Sequence, residues 1–331
     1  MHSKNETMLR EFILLGLSSE PKTQIVLFTV FTLVYTVILI GNFLIIVLVL
    51  TDAKLRTPMY FFLTNLSFLD LCYSTSTLPR MLKDFLSVNK VISYGECAAQ
   101  MYISLSLGES ECVLLVVMAY DRYVAICYPL HYTTIMSKKV CIRLAVGTWM
   151  SGFFLSAPVV ALTFNIDTCG HNVINHFACE LTEVLSLGCE NIILVELIIF
   201  IVSIILLLTP VIFIVISYVN IIQNILKIAS SSGRRKAFST CGSHMMVVAI
   251  FYGSAMASYM KPRSSSVPGT DKVIAVFYVI VTPMLNPMIY TLRNNDVKAA
   301  FAKLKSRYKE PFQVLLTTTT SVKLEAKLGS C

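Results

Sequence analysis

Four polar side chains stand in stretches otherwise suited to an apolar solvent: Asn42, Asp70, Glu111 and Asn286. Asp70 lies about 12 residues beyond Pro58, roughly 18 Å along a helix, and Glu111 about 10 residues short of Asp121, roughly 15 Å. Asn42 and Asn286 come out at similar depth. A carboxylate facing lipid costs about 2.5–3.5 kcal/mol on insertion scales, so the group is expected to face inward. Two acids at one depth repel unless they share a proton or a cation. The cluster therefore reads either as a sodium site centred on Asp70 and Glu111 or as a hydrogen-bonded structural core holding a protonated acid. Glu109 cannot join it, because two residues turn a helix by about 200°. Asp121-Arg122-Tyr123 follows on the same segment. Arg122 is a permanent cation that needs an acceptor at rest, and Asp121 beside it is expected to supply one. Breaking that pair would free Arg122 to point elsewhere, whereas the plain alternative is an interfacial anchor.

The elements that must carry these residues are long apolar runs. The chain has 331 residues, 56% hydrophobic and 14% charged, against about 25% charged in soluble domains. A helix needs roughly 20 apolar residues to cross a hydrocarbon core about 30 Å thick. Seven stretches qualify: Ile25 to Leu50, Met59 to Pro79, Cys97 to Tyr120, Leu144 to Ile166, Leu197 to Leu226, Ala237 to Met260 and Val273 to Leu292. The expected fold is an all-α membrane protein, a seven-transmembrane helix bundle over 25–292. An amino-terminal segment, 1–24, precedes it, and a tail, 293–331, follows. Phe12 to Leu17 is too short for the apolar region of a cleaved signal. The first span then serves as the insertion signal.

Charge sets the orientation. With the amino end outside, 18 of the 27 Lys and Arg fall on the cytosolic side, including Arg234, Arg235 and Lys236, as the positive-inside bias requires. Asn5 in Asn5-Glu6-Thr7 then meets the glycosylation machinery, while Asn65-Leu66-Ser67 lies inside a span and is discounted. Cys97, Cys169, Cys179 and Cys189 fall on the oxidising side, and three of them share the loop from Thr168 to Glu190, which suggests a stapled lid. Four cysteines allow three pairings, and periodicity does not choose among them. After the last span, Val297, Phe301, Leu304 and Tyr308 recur at helical spacing among lysines, which reads as an amphipathic helix over about 294–309 lying on the anionic inner leaflet. Beyond Pro311 the tail looks unstructured, and Cys331 makes no prenylation box.

Several function classes drop out. There is no Gly-x-Ser-x-Gly, His-Glu-x-x-His or phosphate loop, so no enzyme is expected. Seven unequal spans do not divide into the paired halves of a transporter, and no helix carries the charge ladder of a voltage sensor. A channel would need a continuous polar path, yet Cys112 to Ala119 has no charge. The basic surplus belongs to the membrane interface and calls for no nucleic acid.

Four ordered blocks go further. Leu55-Arg56-Thr57-Pro58-Met59-Tyr60-Phe61-Phe62-Leu63, Met118-Ala119-Tyr120-Asp121-Arg122-Tyr123-Val124-Ala125-Ile126-Cys127, Lys236-Ala237-Phe238-Ser239-Thr240-Cys241-Gly242-Ser243-His244 and Pro283-Met284-Leu285-Asn286-Pro287-Met288-Ile289-Tyr290 sit at matching span ends. Together they resemble the olfactory receptors, a branch of the rhodopsin-like G protein-coupled receptors, from about Glu11 to Lys309. The resemblance implies a plasma-membrane receptor for small volatile odorants that activates a stimulatory-type heterotrimeric G protein and raises cyclic AMP. A non-olfactory chemosensory receptor of the same fold is the alternative. It implies the pairings Cys97 to Cys179 and Cys169 to Cys189, and roles for Asp121, Arg122, Tyr123, Tyr218 and Tyr290 in switching.

By position the family pattern puts the ligand in the outer half of the bundle. Ser104, Leu105, Gly108, Glu109 and Cys112 come from span three, Val202, Ser203 and Leu206 from span five, Tyr252, Ala255, Met256 and Tyr259 from span six, and Val276 and Val279 from span seven. Such a lining suits a volatile molecule oriented by one or two hydrogen bonds. Retinal is excluded as a cofactor because Lys272 lies at the outer mouth of span seven rather than inside it. Glu109 in an apolar cavity either selects a ligand bearing an amine or strong acceptor, or stays protonated and bonds a neighbouring helix.

Overall fold

Long apolar runs become long helices here, and each overshoots the minimum needed to cross a bilayer. The computed structural model describes residues 11–168, 170–189, 192–260, 269–292 and 296–306. Asn5, Cys169 and the tail after residue 306, with Tyr308 and Cys331, lie outside the described residues. The seven helices are α1 (Pro21–Thr51), α2 (Pro58–Phe85), α3 (Tyr94–Cys127), α4 (Lys138–Phe164), α5 (Ile193–Leu226), α6 (Ser231–Tyr259) and α7 (Thr270–Leu292). α7 is α-helical over Thr270–Val276 and Thr282–Leu292, with a wider π-helical stretch, Phe277–Val281, between them.

Local chemistry explains the extra turns. Pro21 and Pro58 occupy first-turn positions, where a missing N–H costs nothing. Ser93 caps α3 in a reciprocal box with Glu96, so that helix begins before the apolar run does. α2 runs through Pro79, where the sequence expectation ended it, and stops at Phe85. Among the described residues, six helices are apolar enough to span a membrane on length and composition alone. The remaining one, α2, carries Asp70 with several Ser and Thr, and its position accounts for this: 14 of its 28 residues are buried.

Lipid tails are as apolar as leucine, so helices associate through close approach and hydrogen bonds rather than by hiding apolar surface. Ile201, Ile212, Phe213 and Ile216 of α5 and Ile25, Leu33, Ile40 and Phe43 of α1 are exposed on the outside of the bundle. Between α3 and α4, Ser106 and Ser110 meet Gly152 and Ser156, and the Ser106 and Ser156 hydroxyls lie 2.5 Å apart. Gly152 has no room for a methyl group: a Cβ there would sit 2.2 Å from the Ser106 carbonyl oxygen.

At one end the connecting loops form a small lid. β1 (Glu11–Leu14) pairs antiparallel with β2 (Val91–Ser93) and parallel with β3 (Val173–Ile174), giving the order β2-β1-β3. Phe12 is buried beneath it against Tyr94 and Phe164. Lys272 Nζ donates to the Gly16 carbonyl, tying the start of α7 to the same edge. At the opposite end, residues 296–306 are helical, with Val297 and Ala300 buried and Phe301 exposed.

Candidate functional site

α3 threads both candidate sites. Towards the lid, a cavity of about 260 Å³ lies between α3, α5, α6, α7 and the loop after β3. Ser104, Leu105, Gly108, Glu109 and Cys112 line it from α3, Val202, Ser203 and Leu206 from α5, and Ala255 and Tyr259 from α6. The other expected residues, Tyr252, Met256, Val276 and Val279, pack in the core around it instead. Tyr252 braces the wall from behind by donating its hydroxyl proton to the Cys112 carbonyl, 2.8 Å away.

The loop lid supplies what spacing did not reveal. Cys97 and Cys179 form a disulfide, with Cα atoms 5.4 Å apart. Cys189 is also disulfide-bonded, and Cys169 is outside the described residues. Gln100 of α3 accepts from the Cys179 N–H at 3.0 Å and donates to the Ser76 carbonyl of α2 at 3.2 Å. The next residue, Glu180, is thereby placed in the cavity wall, where Tyr259 donates to its Oε1 at 2.5 Å. Burial pushes the Glu180 carboxyl up to about 7 against the opposing pull of that bond. Earlier in the loop, His176 is fully buried, accepts from the Ala178 N–H at Nδ1, and is driven down to about 4 by burial. Glu180 was missed because a loop has no periodicity. Its one signal was adjacency to a tethered cysteine.

Of the expected polar core, the structure pairs Asn286 with Asp70, while Asn42 is held by backbone carbonyls. Asn286 Nδ2 donates to both Asp70 carboxylate oxygens, at 3.1 and 3.0 Å, and Asn42 Nδ2 donates to the Pro283 carbonyl at 3.0 Å. Asn42 Oδ1, Asn286 Oδ1 and Glu111 Oε1 are buried without hydrogen-bond partners. Each is a hard oxygen acceptor whose burial leaves it in need of a donor or a cation. Glu109 points elsewhere, as the helical angle requires. Its Oε2 is buried, and no neighbouring helix offers it a hydrogen bond.

At the far end of α3, Met118 and Arg122 line a crevice of about 950 Å³ with Arg235, Ser239 and Thr240 of α6 and Tyr290 of α7. The expected Asp121–Arg122 pair is not formed. Consecutive helical residues do not face each other, and Asp121 Oδ1 instead accepts from the Tyr132 hydroxyl at 2.7 Å. Arg122 Nε and the Tyr290 hydroxyl are buried without partners. Tyr123 packs edge-on against Tyr128. Tyr218 is bonded across to His244 of α6 at 2.8 Å, a partner the sequence analysis had not assigned. Among the described residues no group of three His, Cys, Asp or Glu side chains is arranged to hold a metal ion.

A cavity under a tethered lid, a polar core at mid-depth and a basic crevice below it occur together in one helical bundle. The family model described as "Olfactory receptor" matches residues 31–307. Olfactory receptor 5AR1 of Mus musculus is 48% identical over 304 residues, which is 92% of this chain and 98% of its own length. Olfactory receptor-like protein OLF3 of Canis lupus familiaris is 49% identical, with coverage of 92% and 96%. Olfactory receptor 2F1 of Homo sapiens is 50% identical with the same coverage. The chain therefore belongs to the olfactory receptor family of rhodopsin-like G protein-coupled receptors, multi-pass plasma-membrane proteins that sense odorants and are not enzymes.

Proposed function

We propose that this receptor binds its odorant in the cavity beneath the β1–β3 lid and activates a stimulatory-type G protein through the crevice around Arg122, raising cyclic AMP. One observation carries the reading: Cys112 on the cavity wall and Arg122 in the crevice lie on one uninterrupted helix, about 15 Å apart along its axis. A ligand that shifts α3 against α6 can bias both ends together. The Tyr218–His244 bond joins α5 to α6 beside the crevice, and Tyr290 stands opposite with a free hydroxyl. Both are placed to reset when α6 moves outward. The amino end faces outside and the carboxyl end the cytosol, with residues 296–306 against the inner leaflet and Asn5 glycosylated. We further assign a sodium ion to the oxygens of Asn42, Asp70, Glu111 and Asn286, where its single charge would offset the repulsion between the two facing acids, one of them keeping its proton.

The test is cyclic AMP in cells supplied with a stimulatory-type G protein, challenged with an odorant panel. Arg122→Ala should abolish the response at unchanged surface level and ligand occupancy. An equal response from variant and parent would remove Arg122 from coupling. A response carried only by a different G protein class would overturn the stimulatory assignment.

A further inference from the structure

The cavity is apolar on most of its wall, yet two carboxyl groups open onto it, from Glu109 on α3 and Glu180 on the lid, and no Lys, Arg or His is among the described residues lining it. The two acids are not equivalent. Glu180 is held by the Tyr259 hydroxyl, whereas Glu109 Oε2 is buried and receives no hydrogen bond. Glu109 cannot find relief in the polar core, which lies round the helix with Glu111. A buried carboxyl oxygen without a partner is costly, and the arriving ligand can remove that cost.

The approach to the cavity has the same sign. A cleft of about 930 Å³ at the lid end shares Leu181, Ser203 and Tyr259 with the inner cavity. Glu183, Glu196, Asp271 and Lys272 are among the described residues that line it, and an acid-rich lining favours cations over anions. The remaining inner wall, with Leu105, Val113, Val159 and Phe251, receives a hydrocarbon body.

We infer that the ligand is a small organic amine bound as its ammonium ion, with Glu109 as the counter-ion, Glu180 as a second acceptor beneath the lid, and the acidic cleft as its route in. This rests on the cavity being the odorant site. The competing ligand is a neutral acceptor, such as an aldehyde, hydrogen-bonded by a protonated Glu109.

The experiment uses full-length receptor in lipid nanodiscs and, in parallel, the cellular cyclic AMP assay. The probes share skeletons: 2-phenylethylamine, 2-phenylethanol and phenylacetaldehyde, then cyclohexylamine and cyclohexanol. The amines should raise the melting temperature at concentrations at least about tenfold below those needed for their neutral partners, a difference of about 1.4 kcal/mol. Glu109→Gln keeps the shape and should erase that preference, bringing each amine and its neutral partner to similar concentrations. Glu180→Gln should reduce it by about threefold, as expected for a hydrogen-bonded acceptor rather than the main counter-ion. Alcohols or aldehydes binding as tightly as the amines, amine preference surviving in Glu109→Gln, or no thermal shift from any amine would each overturn the inference. Amines that stabilise the receptor without raising cyclic AMP would uphold the ligand class and refute the coupling. Aldehydes that raise cyclic AMP when amines do not would do the reverse.

Discussion

Replacing Gly152 with alanine should force α3 and α4 apart. The added Cβ would lie 2.1 Å from Ser110 Oγ, 2.2 Å from the Ser106 carbonyl oxygen and 2.9 Å from the Ser110 nitrogen. Bringing the carbonyl contact back to an ordinary carbon–oxygen separation needs a shift of about 1 Å. That shift would stretch the 2.5 Å bond between the Ser106 and Ser156 hydroxyls to the limit of hydrogen bonding. Overpacking costs about 1–3 kcal/mol, and an interhelical hydrogen bond in a membrane protein contributes about 0.6 kcal/mol. The total is roughly 2–4 kcal/mol. Purified receptor should melt lower by the order of 5 °C, and cells should retain most of the variant before it reaches the surface. Ser110→Ala added to Gly152→Ala should recover only part of the loss, because the Ser106 carbonyl is backbone and remains. Gly147→Ala on the same helix is the control, since nothing lies within 4 Å of its added Cβ. If Gly152→Ala melts with the parent and reaches the surface equally, the close approach of these helices is not what holds them together.

Three further outcomes follow from the geometry. Exchanging potassium for sodium should raise the melting temperature of the parent but not of Asp70→Asn or Glu111→Gln, and identical melting in both salts would dismiss the ion. Cys179→Ser should be held in the secretory pathway, as loss of a native disulfide typically costs about 2–5 kcal/mol, and a free Cys97 thiol in unreduced peptide maps of the parent would contradict the pairing. The lid should also show opposed pH dependences. His176, depressed from 6.5 to about 4, contributes stability that is complete above pH 6.5 and lost as pH falls towards 4. Glu180, raised from 4.5 to about 7, contributes stability that is complete below pH 4.5 and lost as pH rises towards 7. Between pH 4.5 and 6.5 the two slopes, each about 1.4 kcal/mol per pH unit, cancel. Glu180→Gln should therefore lose stability on acidification in this window and His176→Asn on alkalinisation, as read by hydrogen exchange across the lid. Flat profiles in both variants would show that neither group is buried as described.

The spans and the polar core were legible because membranes punish exceptions: an acid within 20 apolar residues has few places to go, and Asp70 and Asn286 duly meet. Glu109 and Glu111 could be separated by helical angle alone. What spacing does not encode is how a loop returns to the bundle. Glu180 reaches the cavity through the Cys97–Cys179 bridge and Gln100, a chain of non-local contacts. Phe12 to Leu17 reads from sequence only as too short for a cleaved signal, because the strand Glu11–Leu14 gains an edge only when two distant segments pair with it. Adjacency also misled, for Asp121 and Arg122 are neighbours in sequence but lie about 100° apart around α3.

The π-helical stretch in α7 sets an angular phase. Tyr278, on the cavity wall, and Asn286, bonded to Asp70, are eight positions apart and both face inward, 3% and 2% exposed. In an unbroken α-helix eight residues rotate by about 800°, leaving the two side chains about 80° out of line. Absorbing one extra residue in the wide turn makes the rotation equivalent to about 700°, which returns them to within about 20°. The ligand chamber and the polar core are thus kept in register by a single surplus residue. Deleting one residue from Phe277–Val281 would leave every other side chain chemically intact while turning the two halves of α7 to face different neighbours.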